Sequence, residues 1–156
     1  MVADPSAAFR GDVGVLAVAE SGRRVTLDVR AHNITYRVCP GSAALDVDPG
    51  DFGRFDIDSA SACIRGVVLV TPPSPPACTN GRYGGGAVVT WLGANERAHS
   101  VLVETDNGFL RTQRWCATPT VAAANGEAIR FADIAKGSKV QLIFFDDWVD
   151  SVAVKA

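Results

Sequence analysis

Residues 100–116 read SVLVETDNGFLRTQRWC, and the fold class turns on this stretch. Val101 and Val103 alternate with Leu102 and Glu104, a repeat of two that belongs to a strand. Asn107-Gly108 follows, and such a pair is a strong hairpin signal because a type I′ turn needs positive φ at both central residues. A second strand is then expected over 109–116. The same alternation runs outward in both directions, and helical spacing is nearly absent. Upstream, 87–92 reads as a strand and 94–98 as a turn. Downstream, 119–125 has room for one short helical turn, 128–131 and 138–145 read as strands, and 148–154 closes the chain through a hairpin at Asp146-Asp147. The segment 138–145 is apolar on both faces and is expected to be a central strand.

The first half has the same character. Strands are expected over 13–19, 25–30 and 34–39, joined by turns at 20–23 and at His32-Asn33, as a meander. The stretch CPGSAALDVDPGDFGRFDID (39–58) is rich in Pro, Gly and Asp, and only 54–57 looks extended. A nearly continuous apolar strand over 63–70 ends where prolines begin, since proline supplies no ladder donor. The reading is all-β: an antiparallel sandwich or barrel of about ten short strands.

Set against each other at an offset of 76, the halves match in outline: Leu16 with Leu92, Glu20 with Glu96, Val25 with Val101, Asp28 with Glu104, Gly50 with Gly126, Arg54-Phe55 with Arg130-Phe131. The apolar run 64–69 meets 140–145, and Cys39 and Cys116 fall one place out of register. The chain is expected to form a single compact unit over 1–156, and the pattern leaves open that this unit is made of two similar pseudo-repeat halves, 10–75 and 82–156, each of the small-barrel size found in OB and SH3-like folds, with the strand from Trp148 as an extra. Between the halves lies a seam, 71–86, within VVLVTPPSPPACTNGRYGGG (67–86). Proline stiffens its first part, glycine frees its second, and Cys78 is positioned to pin it.

The formal net charge is -2 with 21% charged residues, which lacks the basic footprint of a nucleic-acid binder. No apolar run approaches the roughly 18 residues that span a bilayer, so neither nucleic acid nor membrane is an expected partner. The start, MVADPSAAFRGD, has no basic and apolar signal-peptide regions. Either the chain is made without export, or Met1 replaces a removed signal. The four cysteines, Cys39, Cys63, Cys78 and Cys116, form no CxxC pair, which disfavours zinc. They admit two disulfides in three connectivities, or four buried thiols. Pairing Cys39 with Cys63 and Cys78 with Cys116 gives each half its own bridge.

Catalytic groups are scarce. The histidines are His32 and His99, both at or beside predicted turns, and Ser42, Ser59 and Ser61 have no histidine nearby in sequence. No GxSxG elbow is present. Asp46, Asp48 and Asp51 cluster around Gly50, but Ile57 stands where an EF-hand needs its bidentate Glu, so a solvated loop with Asx turns is expected. GRYGGG (81–86) lacks the Lys-Ser/Thr of a phosphate loop. Arg10-Gly11-Asp12 matches an adhesion tripeptide short enough to recur by chance, and Asn33-Ile34-Thr35 is a formal glycosylation sequon, meaningful only in a eukaryotic secreted protein.

Aromatic residues offer a surface instead. Phe109, Arg111, Gln113 and Trp115 share one strand face, and Trp91, Trp148, Tyr36 and Tyr83 add further rings. Core packing, a subunit interface and a ligand platform compete for these side chains. The candidate interface is Arg111, Gln113, Trp115 and Trp148. The function expected is non-enzymatic and without cofactor or metal: a structural module contacting other protein subunits, identical or different, of the virion coat, decoration, tail or surface-layer kind. Its location would be a virion, the cell surface or the extracellular space. The alternative is a secreted domain binding oligosaccharide or another small ligand through Trp and Arg faces.

Overall fold

A computed structural model describes residues 13–29, 32–70, 74–79, 85–146 and 148–156. The chain is all-β and divides into two compact units, Met1–Thr71 and Pro72–Ala156; the boundary falls inside the Pro/Gly-rich seam.

The first unit holds β1 (Val13–Ala19), β2 (Arg24–Val29), β3 (His32–Arg37), β4 (Phe52–Ile57) and β5 (Ile64–Leu69). They form one sheet in the order β3-β2-β1-β4-β5. Strict alternation explains β2, where Val25, Leu27 and Val29 turn inward and Arg24, Thr26 and Asp28 outward. The inward residues join Val13, Val15, Phe55, Ile57 and Ile64 in a core. Burying each such side chain stabilises the unit by roughly 1.5–3 kcal/mol. At the β1–β2 turn Gly22 has a φ of 90°. A Cβ there would fall on the Leu45 carbonyl oxygen, while the Leu45 N–H donates to the Gly22 carbonyl at 2.9 Å. Glycine is thus what lets the loop after β3 lie against this turn.

The second unit holds β6 (Gly85–Asn95), β7 (Ser100–Glu104), β8 (Leu110–Ala122), β9 (Lys139–Phe145) and β10 (Trp148–Val154). These close into a barrel in the order β10-β8-β7-β6-β9. The β7–β8 hairpin is present, but its turn differs from type I′. Of its residues only Gly108 has positive φ, 81°, and the Thr105 N–H donates to the Phe109 carbonyl at 2.8 Å. That is the longer hairpin loop in which one glycine ends a type I turn.

The two units have the same topology: three antiparallel strands in a meander, a fourth strand paired to the first, and a fifth paired to the fourth that runs parallel to the third. In the second unit, which closes, this is the five-stranded Greek-key barrel of OB type, while the first has the same strand order as a sheet whose third and fifth strands meet at one bridge. The match is residue by residue. In β1 and β2, Gly14 pairs with Asp28, Val15 with Leu27, Ala17 with Thr26, Val18 with Val25 and Ala19 with Arg24. Adding 76 to each gives pairs in β6 and β7, namely Thr90 with Glu104, Trp91 with Val103, Gly93 with Leu102, Ala94 with Val101 and Asn95 with Ser100. Both ladders carry a bulge at the same place, Leu16 in one and Leu92 in the other.

Beyond the third strand the offset of 76 matches the wrong strands. By their partners, Gly53 corresponds to Val140 and Leu69 to Val154. The run 64–69 is therefore the counterpart of β10, and Trp148–Val154 is the fifth barrel strand and no extra. The cause is a longer connection in the second unit. There β8 continues to Ala122, where a short helical turn was expected, and residues 128–131 form an isolated bridge and a 3-10 turn at Phe131–Asp133 where a strand was expected.

Candidate functional site

The units differ where the third strand meets the fifth. In the second, Trp148 and Val149 of β10 pair with Arg114 and Trp115 of β8, then Ser151, Val152 and Ala153 pair with Thr120, Val121 and Ala122. In the first, a single parallel bridge, Val38 with Ile64, stands in place of that ladder. After Cys39 the chain leaves β5 and enters the loop 40–51, held at its base by the Cys39–Cys63 disulfide, whose Cα atoms are 4.9 Å apart.

The outer half of β5 therefore has an open edge among the described residues. The Ile64 carbonyl accepts from Cys39 N–H at 2.8 Å, on the β3 side, whereas Val70 N–H donates to Phe52 at 3.0 Å, on the β4 side. Backbone groups alternate sides along a strand, and Arg65 is the bulge residue that resets the alternation. Gly66 and Val68 thus face β4, and the N–H and C=O of Val67 and Leu69 face the open edge. Val68 is 68% and Leu69 38% exposed. A groove of about 370 Å³ runs along this edge, with Arg65, Gly66, Val67 and Leu69 on one side and Ala43, Ala44, Leu45 and Asp46 on the other. Its floor is closed, because Leu45 and Val47 are buried in the core. Ala43, Ala44 and Gly66 keep parts of its walls low.

Charges fix the groove's end. Arg65 bonds Asp56 at 2.9 Å, and that hydrogen bond, followed by the attraction of the carboxylate, raises the guanidinium pKa further. Asp58 is held below the usual carboxylate range, first by the Ala60 N–H and then by the Ser61 hydroxyl.

The candidates from the sequence are dispersed. Pairing places Arg111 and Gln113 opposite Val103 and Val101, and paired residues share a sheet face; that face is the inner one, since both valines are core residues. Trp115, 8% exposed, lies in the same core. Trp148, half-buried, pairs with Arg114 and so lies on the other face of β8. Trp91 is buried as well. Its ring stacks on Phe131 with centroids 5.8 Å apart, Phe131 stacks on Trp115 at 4.4 Å, and exposed His99 covers Trp115 at 5.7 Å. His32 stands exposed at the start of β3. Asp51 is buried and its Oδ2 accepts from Asp48 N–H at 2.8 Å, a loop-internal turn, while Asp46 is exposed. Asn33-Ile34-Thr35 lies on β3.

The second disulfide joins Cys78 to Cys116, with Cα atoms 5.2 Å apart. It ties the segment 74–79 to β8, and the Ala117 N–H donates to the Pro76 carbonyl at 2.9 Å. Thr79 donates to buried Asp150 from its N–H at 2.7 Å and its hydroxyl at 3.1 Å. Two groups bring cysteine and aspartate together, Cys39-Asp58-Cys63 and Cys78-Cys116-Asp150. The sulfurs of both are already committed to disulfides. Arg10-Gly11-Asp12, residues 81–84 of GRYGGG with Tyr83, and Asp147 lie outside the described residues. No helix among the described residues is long and apolar enough to cross a membrane.

No protein-family model and no curated protein matches the chain. Among solved structures, a multidomain protein with nucleic acid binding domains from Streptococcus pneumoniae aligns over 93% of this chain and 50% of its own, at 12% identity and a TM-score of 0.25. The chain thus spans about half the length of that protein, and a likeness this slight bears on neither fold nor function.

The open β5 edge was not among the sequence candidates. Its signal was present as the apolar run of 63–70 next to a loop of small residues, but an apolar run reads as a buried strand.

Proposed function

We propose that the chain is a non-enzymatic protein–protein interaction module, a subunit that joins an assembly through the open seam of its first barrel. One observation carries this reading: among the described residues, nothing pairs with the outward backbone donors and acceptors of Val67 and Leu69, which lie beside exposed Val68. Edges of this kind template pairing with another chain and are normally shortened, charged or covered. This one has no lysine or proline over Ile64–Leu69, and its one charge, Arg65, is drawn back to Asp56.

Other features agree. His99 stacks on a core ring and is exposed, and His32 is exposed at a strand end, so neither sits in a buried pocket. Burial of Trp91 and Trp115 takes two rings away from any sugar platform. A ladder this short contacts far less than the roughly 1,200 Å² of a stable interface, so single contacts are weak and gain strength when repeated in an array. Two disulfides suit an oxidising location such as a virion exterior, a cell surface or the extracellular space.

Light scattering over a range of concentrations tests the proposal. Mass above the monomer is expected for the native chain, falling back to monomer in Val68→Lys, which puts a charge at the edge. A native chain that stays monomeric alone and with the other components of its source particle or surface would refute it.

A further inference from the structure

The second barrel shows what the first one lacks. Strand partners make Ser151 the counterpart of Gly66, Val152 of Val67, Ala153 of Val68, and Asp150 of Arg65, the bulge residue in both fifth strands. Likewise the bridge Val38–Ile64 corresponds to Trp115–Val149. The next three pairs of the second barrel, made by Thr120, Val121 and Ala122, have no counterpart among the described residues of the first.

We infer that the open seam of the first barrel takes an extended segment of a partner protein, running parallel to β5, with a β-branched apolar residue set opposite Val67. The inference rests on the reading of the chain as an interaction module and specifies the partner's chemistry. Its template is inside the molecule: Thr120-Val121-Ala122 seats Val121, 8% exposed, against Val152, 1% exposed, and its neighbours turn outward. In the first barrel the inward position is the groove itself. Val67 is already packed partly against the core, and Leu45 supplies an apolar floor. Because Leu45 and Val47 already fill part of the interior, the inserted residue must be small, valine rather than an aromatic. Ala43, Ala44 and Gly66 let the incoming backbone approach, and Gly66 meets nothing within 4 Å where a Cβ would stand. The positions flanking the inserted residue lie opposite Gly66 and Val68 and face outward, where Val68 favours an apolar neighbour. This is β-strand addition, in which main-chain bonds give affinity and alternate side-chain pockets give selectivity.

The test uses the native chain and a synthetic peptide, ATPTVAA, copied from residues 117–123, with a control in which its valine is aspartate. Binding is followed by calorimetry and amide hydrogen exchange. The valine peptide is expected to slow exchange at Val67 and Leu69, and the aspartate peptide to bind at least about tenfold more weakly, since an unpaired charge is costly to bury. Val67→Pro removes an edge N–H without touching the β4 ladder and is expected to abolish binding. Val88→Lys, at a 43% exposed site on β6, is expected to leave it intact. Binding that protects other amides, binding that survives Val67→Pro, or no binding at all overturns the inference. If the native chain still assembles in light scattering while the peptide fails, the interaction reading stands and this partner chemistry falls.

Discussion

The two barrels follow the same plan up to their third strands and part company there. Five ladder pairs and a bulge repeat at a constant spacing of 76 residues, so the meander is built identically although few of its residues are the same. After it, the second unit extends β8 to Ala122 and seals the parallel seam with β10, while the first turns away at Cys39 into a disulfide-pinned loop. The lesson is that closure in this fold is decided by half a strand. With it, the barrel has no edge between its third and fifth strands and packs two tryptophans inside. Without it, the same architecture carries an exposed apolar edge.

The closed barrel depends most on its buried rings. Trp115→Ala removes the ring held between His99 and Phe131 and is expected to cost about 3–5 kcal/mol, read as a lower midpoint for the second unit in denaturant. The first barrel should keep its midpoint.

The disulfides are expected to separate next. Cys39 and Cys63 are 7% and 9% exposed, whereas Cys78 is only half-buried beside fully buried Cys116. Mild reductant with differential alkylation should open Cys78–Cys116 first, at a cost on the order of 2–4 kcal/mol, and release the segment 74–79 to protease. Simultaneous reduction of both would erase this asymmetry.

A smaller effect is expected from Gly22→Ala, which combines positive φ with a clash at Leu45. It should destabilise the first barrel by about 1–3 kcal/mol and loosen the wall of the groove, measurable as faster exchange of the Leu45 amide.

Acid should have the smallest effect and treat both units alike. Asp58 in the first and Asp133 in the second are both held below the usual carboxylate range, chiefly by the N–H groups of Ala60 and Arg130. A carboxylate depressed in the folded state stabilises it above its unfolded pKa of about 3.9. That contribution is lost as pH falls through the folded value. Melting temperatures of the two units should therefore stay level above about pH 5 and decline together below pH 4.

Strand periodicity made most of this architecture legible. Each of the ten strands among the described residues overlaps a stretch whose alternation or apolar content announced it, though β3 begins earlier and β8 ends later than expected, and Cys39–Cys63 and Cys78–Cys116 follow the pairing that gives each half a bridge. What sequence could not reveal was partnership across the seam. Residues 117–122 contain Pro119 and two alanines, so they lacked a strand signal, yet β10 recruits Thr120, Val121 and Ala122 into its ladder. Conversely, 63–70 is a nearly continuous apolar run, yet Val68 pairs with exposed Arg54 and so lies on the outer face of the sheet, while the edge beside Val67 and Leu69 has no partner among the described residues. Arg111, Gln113 and Trp115 do share a face as alternation predicts, but which face turns inward depends on the pairing with Val101 and Val103. The candidate site escaped notice for the same reason: a missing partner leaves no residue to read.

The central claim is that one seam is open and the other closed, and the amides of Val67 and Val152 test it side by side. They occupy the same position in their barrels, each pointing from the fifth strand toward the third. Hydrogen exchange followed residue by residue on the native chain, diluted below the concentration at which light scattering shows assembly, should find Val152 protected to nearly the full stability of its unit and Val67 exchanging orders of magnitude faster, at close to the unprotected rate. Equal protection at the two amides would contradict the account.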